Sequence, residues 1–209
     1  LTMSKKPMLL LRDQTLIFID VETSGLTPTV HEVLQIAVIR DDPTTGMVTR
    51  YETKIKPTRI GWAEPKALEV NGYTPEAWAD SPSAKDVLTE LKPWLEDGIL
   101  VGHNVAFDRA FLEELFARHK DSIKLPHRTL DTYGLAYEHL APCGLESLAL
   151  DVIRKFLRWP LVGGHEAMRD AEDCRKLYHT LSRASWMKRA WWAFRNWFGK
   201  RLHKQEPSA

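Results

Sequence analysis

The chain has little of several things. It has only two cysteines, Cys143 and Cys174, and no C-x-x-C pair. That excludes a disulfide framework and leaves two reduced, structural thiols, as expected of a cytoplasmic protein. No apolar run approaches the ~20 residues of a membrane span. Near the N-terminus Met8-Leu9-Leu10-Leu11 is ended by Arg12 and Asp13, too soon for a signal-peptide core. There is no internal repeat and no low-complexity segment. Net charge is only +1, so overall charge points to no polyanionic partner. What is present is 209 residues of ordinary globular composition, enough for one domain with a substantial core.

The charge that exists is unevenly placed. Seven Lys/Arg and no Asp/Glu lie between Arg183 and Lys204. With Glu206, residues 183–209 carry +6, which leaves −5 for residues 1–182. We therefore divide the chain into an N-terminal extension (1–12), a mildly acidic domain (13–183) and a basic, Trp-rich tail (184–209).

Within the domain, Thr15–Val21 is nearly all apolar and reads as a strand buried on both faces. Val33–Arg40 and Val48–Lys56 read as strands that complete an antiparallel meander. Short Pro- and Trp-punctuated helices follow from Pro57, then a helix over Ala84–Glu96 and a short strand at Ile99–Val101. Apolar residues recur at helical spacing over Val105–His119. Arg128–Leu130 is a candidate fifth strand, followed by helices over Thr132–His139, Leu145–Phe156 and Ala167–Arg183. This order predicts an α/β domain with a mixed sheet.

Side chains two apart on a strand share a face. Asp20 and Glu22 therefore project together from the end of the first strand, while Val21 turns to the core. Paired carboxylates raise each other's pKa unless a cation lies between them. Asp108 opens a helix just after a strand. Asp170 lies early in the last helix of the domain, and His165 precedes that helix behind Gly163-Gly164. Each has a bland reading as a solvated strand end, a helix-dipole partner or a loop residue. As a set, four carboxylates suit two hard cations such as Mg²⁺ or Mn²⁺, and a histidine can take a proton from water near neutral pH.

The motifs D-x-E-T-x-G, H-N-x-x-F-D and H-x-A-x-x-D-A, in this order, resemble the DEDDh 3′–5′ exonuclease superfamily, which includes the proofreading epsilon subunit of bacterial DNA polymerase III. The likeness spans about Thr15 to Leu181. Thr23-Ser24-Gly25 stands where Thr-Thr-Gly is frequent. The resemblance implies a ribonuclease H-like, five-stranded mixed sheet flanked by helices. It implies that Asp20, Glu22, Asp108 and Asp170 hold two divalent cations and that His165 is the general base. It also implies that Thr23, Gly25 and Leu26 seat the 3′-terminal nucleotide, with Asn104 near the site. The expected reaction is release of nucleoside 5′-monophosphates from single-stranded or frayed DNA 3′ ends. RNA 3′-end trimming and a non-catalytic binding module are the alternatives.

The tail lies beyond the resemblance. At 100° per residue, Trp186, Met187, Ala190, Trp191, Ala193, Phe194, Trp197 and Phe198 cover about 160° of a helix, with Lys188, Arg189, Arg195 and Lys200 opposite and Trp192 among them. Three readings are open: docking of the aromatic face on the chain's own domain, anchoring to a protein partner or a second copy, and contact with nucleic acid or an anionic membrane surface.

Overall fold

The run Leu16–Thr23 forms β1, the central strand of a five-stranded sheet. It pairs antiparallel with β2 (Val33–Asp41), which pairs antiparallel with β3 (Val48–Lys54), so the expected meander is present. The computed structural model describes residues 10–121, 123–160 and 166–203, with side chains described as far as 196. A short helix, α1 (Pro65–Val70), and a longer one, α2 (Ala84–Leu95), lead to β4 (Ile99–Gly102), which lies parallel beside β1. Then α3 (Val105–Arg118) crosses to β5 (Thr129–Asp131), parallel to β4, giving the order β3-β2-β1-β4-β5. The chain leaves β1 toward β2 on one side and leaves β4 toward β5 on the other. That reversal opens a crevice at the carboxyl ends of β1 and β4, where open α/β sheets place ligands.

Alternation along β1 assigns its two faces. Ile17, Ile19 and Val21 pack with α2 and α3 against Leu88, Leu91, Phe111 and Leu112. Leu16 and Phe18 pack on the other face against α6 (Ala167–Ser182). Ala167, Ala171 and Cys174 are the α6 residues buried there. Their small size lets the helix lie close to the sheet.

Between β5 and α6 lie α4 (Thr132–Leu140) and α5 (Leu150–Leu157). The sequence pattern predicts that α5 starts at Leu145, but residues 145–149 are not helical. The carbonyl of Leu148, which a helix would use internally, accepts a 2.7 Å bond from His103 Nε2. Leu145 and Leu148 still pack into the core, so their apolar spacing is accounted for without a helix. Both cysteines are buried and free, in agreement with the reduced, structural reading.

The tail forms α7 (Trp186–His203), opened by Ser185, whose Oγ accepts from Lys188 N. It docks on the chain's own domain, though not by the face that carries Trp186, Trp191 and Phe194. Among the described tryptophans of this helix Trp192 is the buried one, 3% exposed, in a cluster with Leu140, Ile153, Leu177 and Leu181. Asn196 Nδ2 donates to the carbonyls of Cys143 and Gly144, and Arg195 binds the carbonyl of Phe156. Trp186, Met187, Trp191 and Phe194 lie exposed. The helix docks by the face that carries Trp192 because that face meets an apolar cluster and open carbonyls together, which one ring plus two polar side chains satisfy. Among the described residues no helix is long and apolar enough to cross a membrane.

Candidate active site

The face of β1 that carries Leu16 and Phe18 continues into Asp20 and Glu22, which therefore look toward α6. Asp170, in the first turn of α6, faces them. One carboxylate oxygen each from Asp20, Glu22 and Asp170 lie within 4.8 Å of one another. Glu22 and Asp170 are buried and Asp20 is nearly so. Oxygen donors held this closely suit a hard divalent cation.

Asp108 is not part of that three-way convergence but lies beside it. The pairing of β1 with β4 ends at Phe18↔Val101, so β1 outruns its neighbour. The N–H of Val21 beyond that point donates to Asp108 Oδ1 at 3.0 Å. One oxygen of this buried carboxylate is thus committed to the backbone of the strand that carries Asp20 and Glu22. Anchoring of the turn falls mainly to Val105, which is buried, rather than to the half-buried Phe107. His165 lies outside the described residues.

Crowding shows in the acidities. Burial, then the charges of Asp108, Asp170 and Glu22, hold Asp20 well above the usual carboxylate range, against the opposing Arg154. Burial, then Asp170, raise Glu22 to about 7. Burial raises Asp108 to about 8 despite the bond from Val21. A bound cation would relieve all three, and the donor set fits one.

The segment after β1 is built by close approach. Thr23 Oγ1 donates to Gly25 O at 2.7 Å. A Cβ on Gly25 would meet the ring of the buried His31 at 2.5 Å. His31 Nδ1 accepts from Thr27 N at 2.9 Å, and Leu26 N donates to Glu64 Oε1 at 3.3 Å. Leu26 itself is 71% exposed, an apolar side chain left in solvent just beyond the end of β1. Asn104 takes a left-handed backbone, φ 71°, before α3, and its N–H donates to Asp131 Oδ1 at 3.0 Å. That conformation alone favours asparagine there, whatever its exposed side chain meets. Gly25→Ala is expected to cost about 1–3 kcal/mol, because His31 is pinned and the loop must move. Chemical denaturation checks this, and unchanged stability would show the ring to be mobile.

A family model described as "Exonuclease" matches residues 17–178. The chain belongs to the exonuclease family. The PolC-type DNA polymerase III of Thermotoga maritima is 33% identical over 166 residues, which cover 79% of this chain but 12% of that protein. The DNA polymerase III epsilon subunit of Treponema pallidum is 25% identical over 162 residues, covering 78% of this chain and 74% of that one. The exonuclease domain thus spans only about an eighth of the PolC-type relatives. Escherichia coli exonuclease I, solved in complex with single-stranded DNA, shares the fold with a TM-score of 0.67 at 22% identity, over 80% of this chain and 41% of its own. The ribonuclease H-like fold and the DEDDh resemblance read from the motifs stand.

Two residues that touch the candidate site carry no signal in the sequence. Arg154 of α5 binds Asp170 through its guanidinium and Asp173 through Nε at 2.5 Å, with all three side chains largely buried. Among the described residues it is a cation that faces the carboxylates, opposing the rise of Asp20. No motif marks it, since it lies sixteen residues before Asp170 on another helix. His31 likewise reads as a loop histidine until the fold lays its ring on Gly25.

Proposed function

We propose that this exonuclease domain hydrolyses the terminal phosphodiester at single-stranded or frayed DNA 3′ ends, releasing nucleoside 5′-monophosphates in proofreading or end trimming. The observation that carries this reading is the convergence of Asp20, Glu22 and Asp170 at the carboxyl end of β1, with Asp108 alongside. These four carboxylates are the proposed holders of two divalent cations, Mg²⁺ or Mn²⁺. Such cations, when bound, neutralise the phosphate and make a bound water more acidic. His165 is the proposed acceptor of that water's proton. The loop Thr23–Leu26 would seat the terminal nucleotide, with its backbone held by His31 and Glu64 and the exposed Leu26 offering apolar surface to the base. Asn104 borders the site at the start of α3.

Digestion of a 5′-labelled single strand with Mg²⁺ or Mn²⁺ tests the reading. The expected result is a ladder that shortens from the 3′ end, with nucleoside 5′-monophosphate as product and complete arrest by EDTA. Activity that survives the chelator, or internal cuts in a 3′-blocked strand, would overturn it. A parallel RNA strand decides the sugar preference, and faster loss of the RNA would make this a 3′ RNA-trimming enzyme. Gly25→Ala is expected to raise KM for the strand more than it lowers kcat, because it disturbs the nucleotide-seating loop rather than the carboxylates.

A further inference from the structure

Helix α7 carries an aromatic surface that the proposed cleavage reaction does not use. Trp186 is 72% exposed, Met187 62%, Trp191 55% and Phe194 62%. With the exposed Ala190 these side chains span an arc of about 140° at the helical period. The opposite side is the docked one, through Trp192 and Asn196. The apolar arc is therefore presented outward by the folded protein, and no part of the body has to open to show it. Exposed apolar surface of this kind, on a helix already packed by its other side, marks an interaction site.

Charge limits the occupant. The seven cations and absence of acids between Arg183 and Lys204 favour an anionic occupant over a neutral or basic one. The placement of the cations discriminates further. Among the described residues of the arc itself there is no cation. Lys188 and Arg195 stand at its border, the Arg195 guanidinium 4.7 Å from the centre of the Trp191 ring and the Lys188 ammonium 5.4 Å from that of Trp192. A single-stranded nucleic acid is held by a positively charged groove that tracks its backbone alongside the rings on which its bases stack. A lipid surface needs the reverse: an apolar arc that sinks into the acyl boundary, with cations at its edges level with the headgroups and tryptophans at the interface.

We propose that α7 is an interfacial anchor that holds the enzyme on an anionic phospholipid surface, with Trp186, Met187 and Trp191 inserted and the exposed Lys188 on the headgroups. The inference is independent of the cleavage reaction.

The test uses the full chain and sedimentation with vesicles of phosphatidylcholine alone or mixed with phosphatidylglycerol. Tryptophan emission and sedimentation velocity are recorded in parallel. Binding to the anionic vesicles is expected to exceed binding to the neutral ones by at least about tenfold, with a blue-shifted emission. The combined variant Trp186→Gln, Met187→Gln and Trp191→Gln removes only exposed side chains. It is expected to lose at least about tenfold in vesicle partition, with unchanged melting temperature and unchanged digestion of a short strand. No binding to anionic vesicles, or equal binding by the variant, overturns the proposal. So does a variant that loses affinity for a single-stranded oligonucleotide held in EDTA, which would make the arc a nucleic-acid surface. Self-association of the parent chain that the variant abolishes, without vesicle binding, overturns it in favour of a second copy.

Discussion

Asp20→Asn is expected to lower strand digestion by ~10³-fold or more while raising the melting temperature of the metal-free protein. The activity loss follows if Asp20 is a cation ligand. Charge stabilisation by a bound cation is worth several kcal/mol, and each 1.36 kcal/mol is tenfold in rate. The stability gain follows from the same crowding. Asp20 is pushed up first by burial and then by Asp108, Asp170 and Glu22, so its ionised form is penalised by the fold. A group whose pKa is raised on folding costs stability as pH climbs from its unfolded value to its folded one. Glu22 spans 4.5 to about 7 and Asp108 spans 3.8 to about 8. Metal-free wild type should therefore lose stability progressively between these limits and level off above them. Removing one charge should return about 1–2 kcal/mol at alkaline pH, or roughly 2–8 °C for a chain this size. Thermal melts in EDTA across this range, with and without saturating Mn²⁺, check both halves. A variant that is inactive and also less stable would mean that Asp20 serves packing and not the cation site.

Arg154→Ala is expected to destabilise the metal-free protein by about 3 kcal/mol, because it leaves Asp170 and Asp173 buried without their shared guanidinium. Digestion should fall ~10–100-fold, the usual cost of losing a group that orients a metal ligand. Arg154→Lys keeps the charge but cannot bind both carboxylates in the same fork, so it should recover stability better than activity. The deciding measurement is the stability deficit of the alanine variant with and without divalent cation. It should shrink when Mn²⁺ is bound, since the cation takes over part of the neutralisation. An equal deficit under both conditions would place Arg154 in the scaffold and remove it from the site.

How much of this was visible in the sequence depends on the distance over which each signal acts. The projection of Asp20 and Glu22 to one side needs only the alternation of a strand, and the structure agrees. The start of α3 at Val105, and Asp108 in its first turn, follow from helical spacing after a short apolar strand. The start of α5 was misplaced because Leu145 and Leu148 have helical spacing yet meet the core from an extended segment tied to His103. The tail's helical period is legible, but three uses of its aromatic face stay open in the sequence; the fold docks the helix by another side, through Trp192 and Asn196 on an apolar cluster edged with carbonyls.

Local pattern alone settles which residues alternate on β1, where the helices of the domain recur, and that three ordered motifs resemble those of an exonuclease, a family whose model matches residues 17–178. The packed fold adds that Asp170 meets Asp20 and Glu22, that Asp108 is spent partly on the Val21 amide, and that Arg154 is a counter-charge among the described residues. The reason is that periodicity fixes the direction of a side chain relative to its own element. Which element it then faces depends on the close packing of Ala167, Ala171 and Cys174 on the sheet and of α5 on α6. Those contacts join residues far apart in the chain, and no local pattern records them.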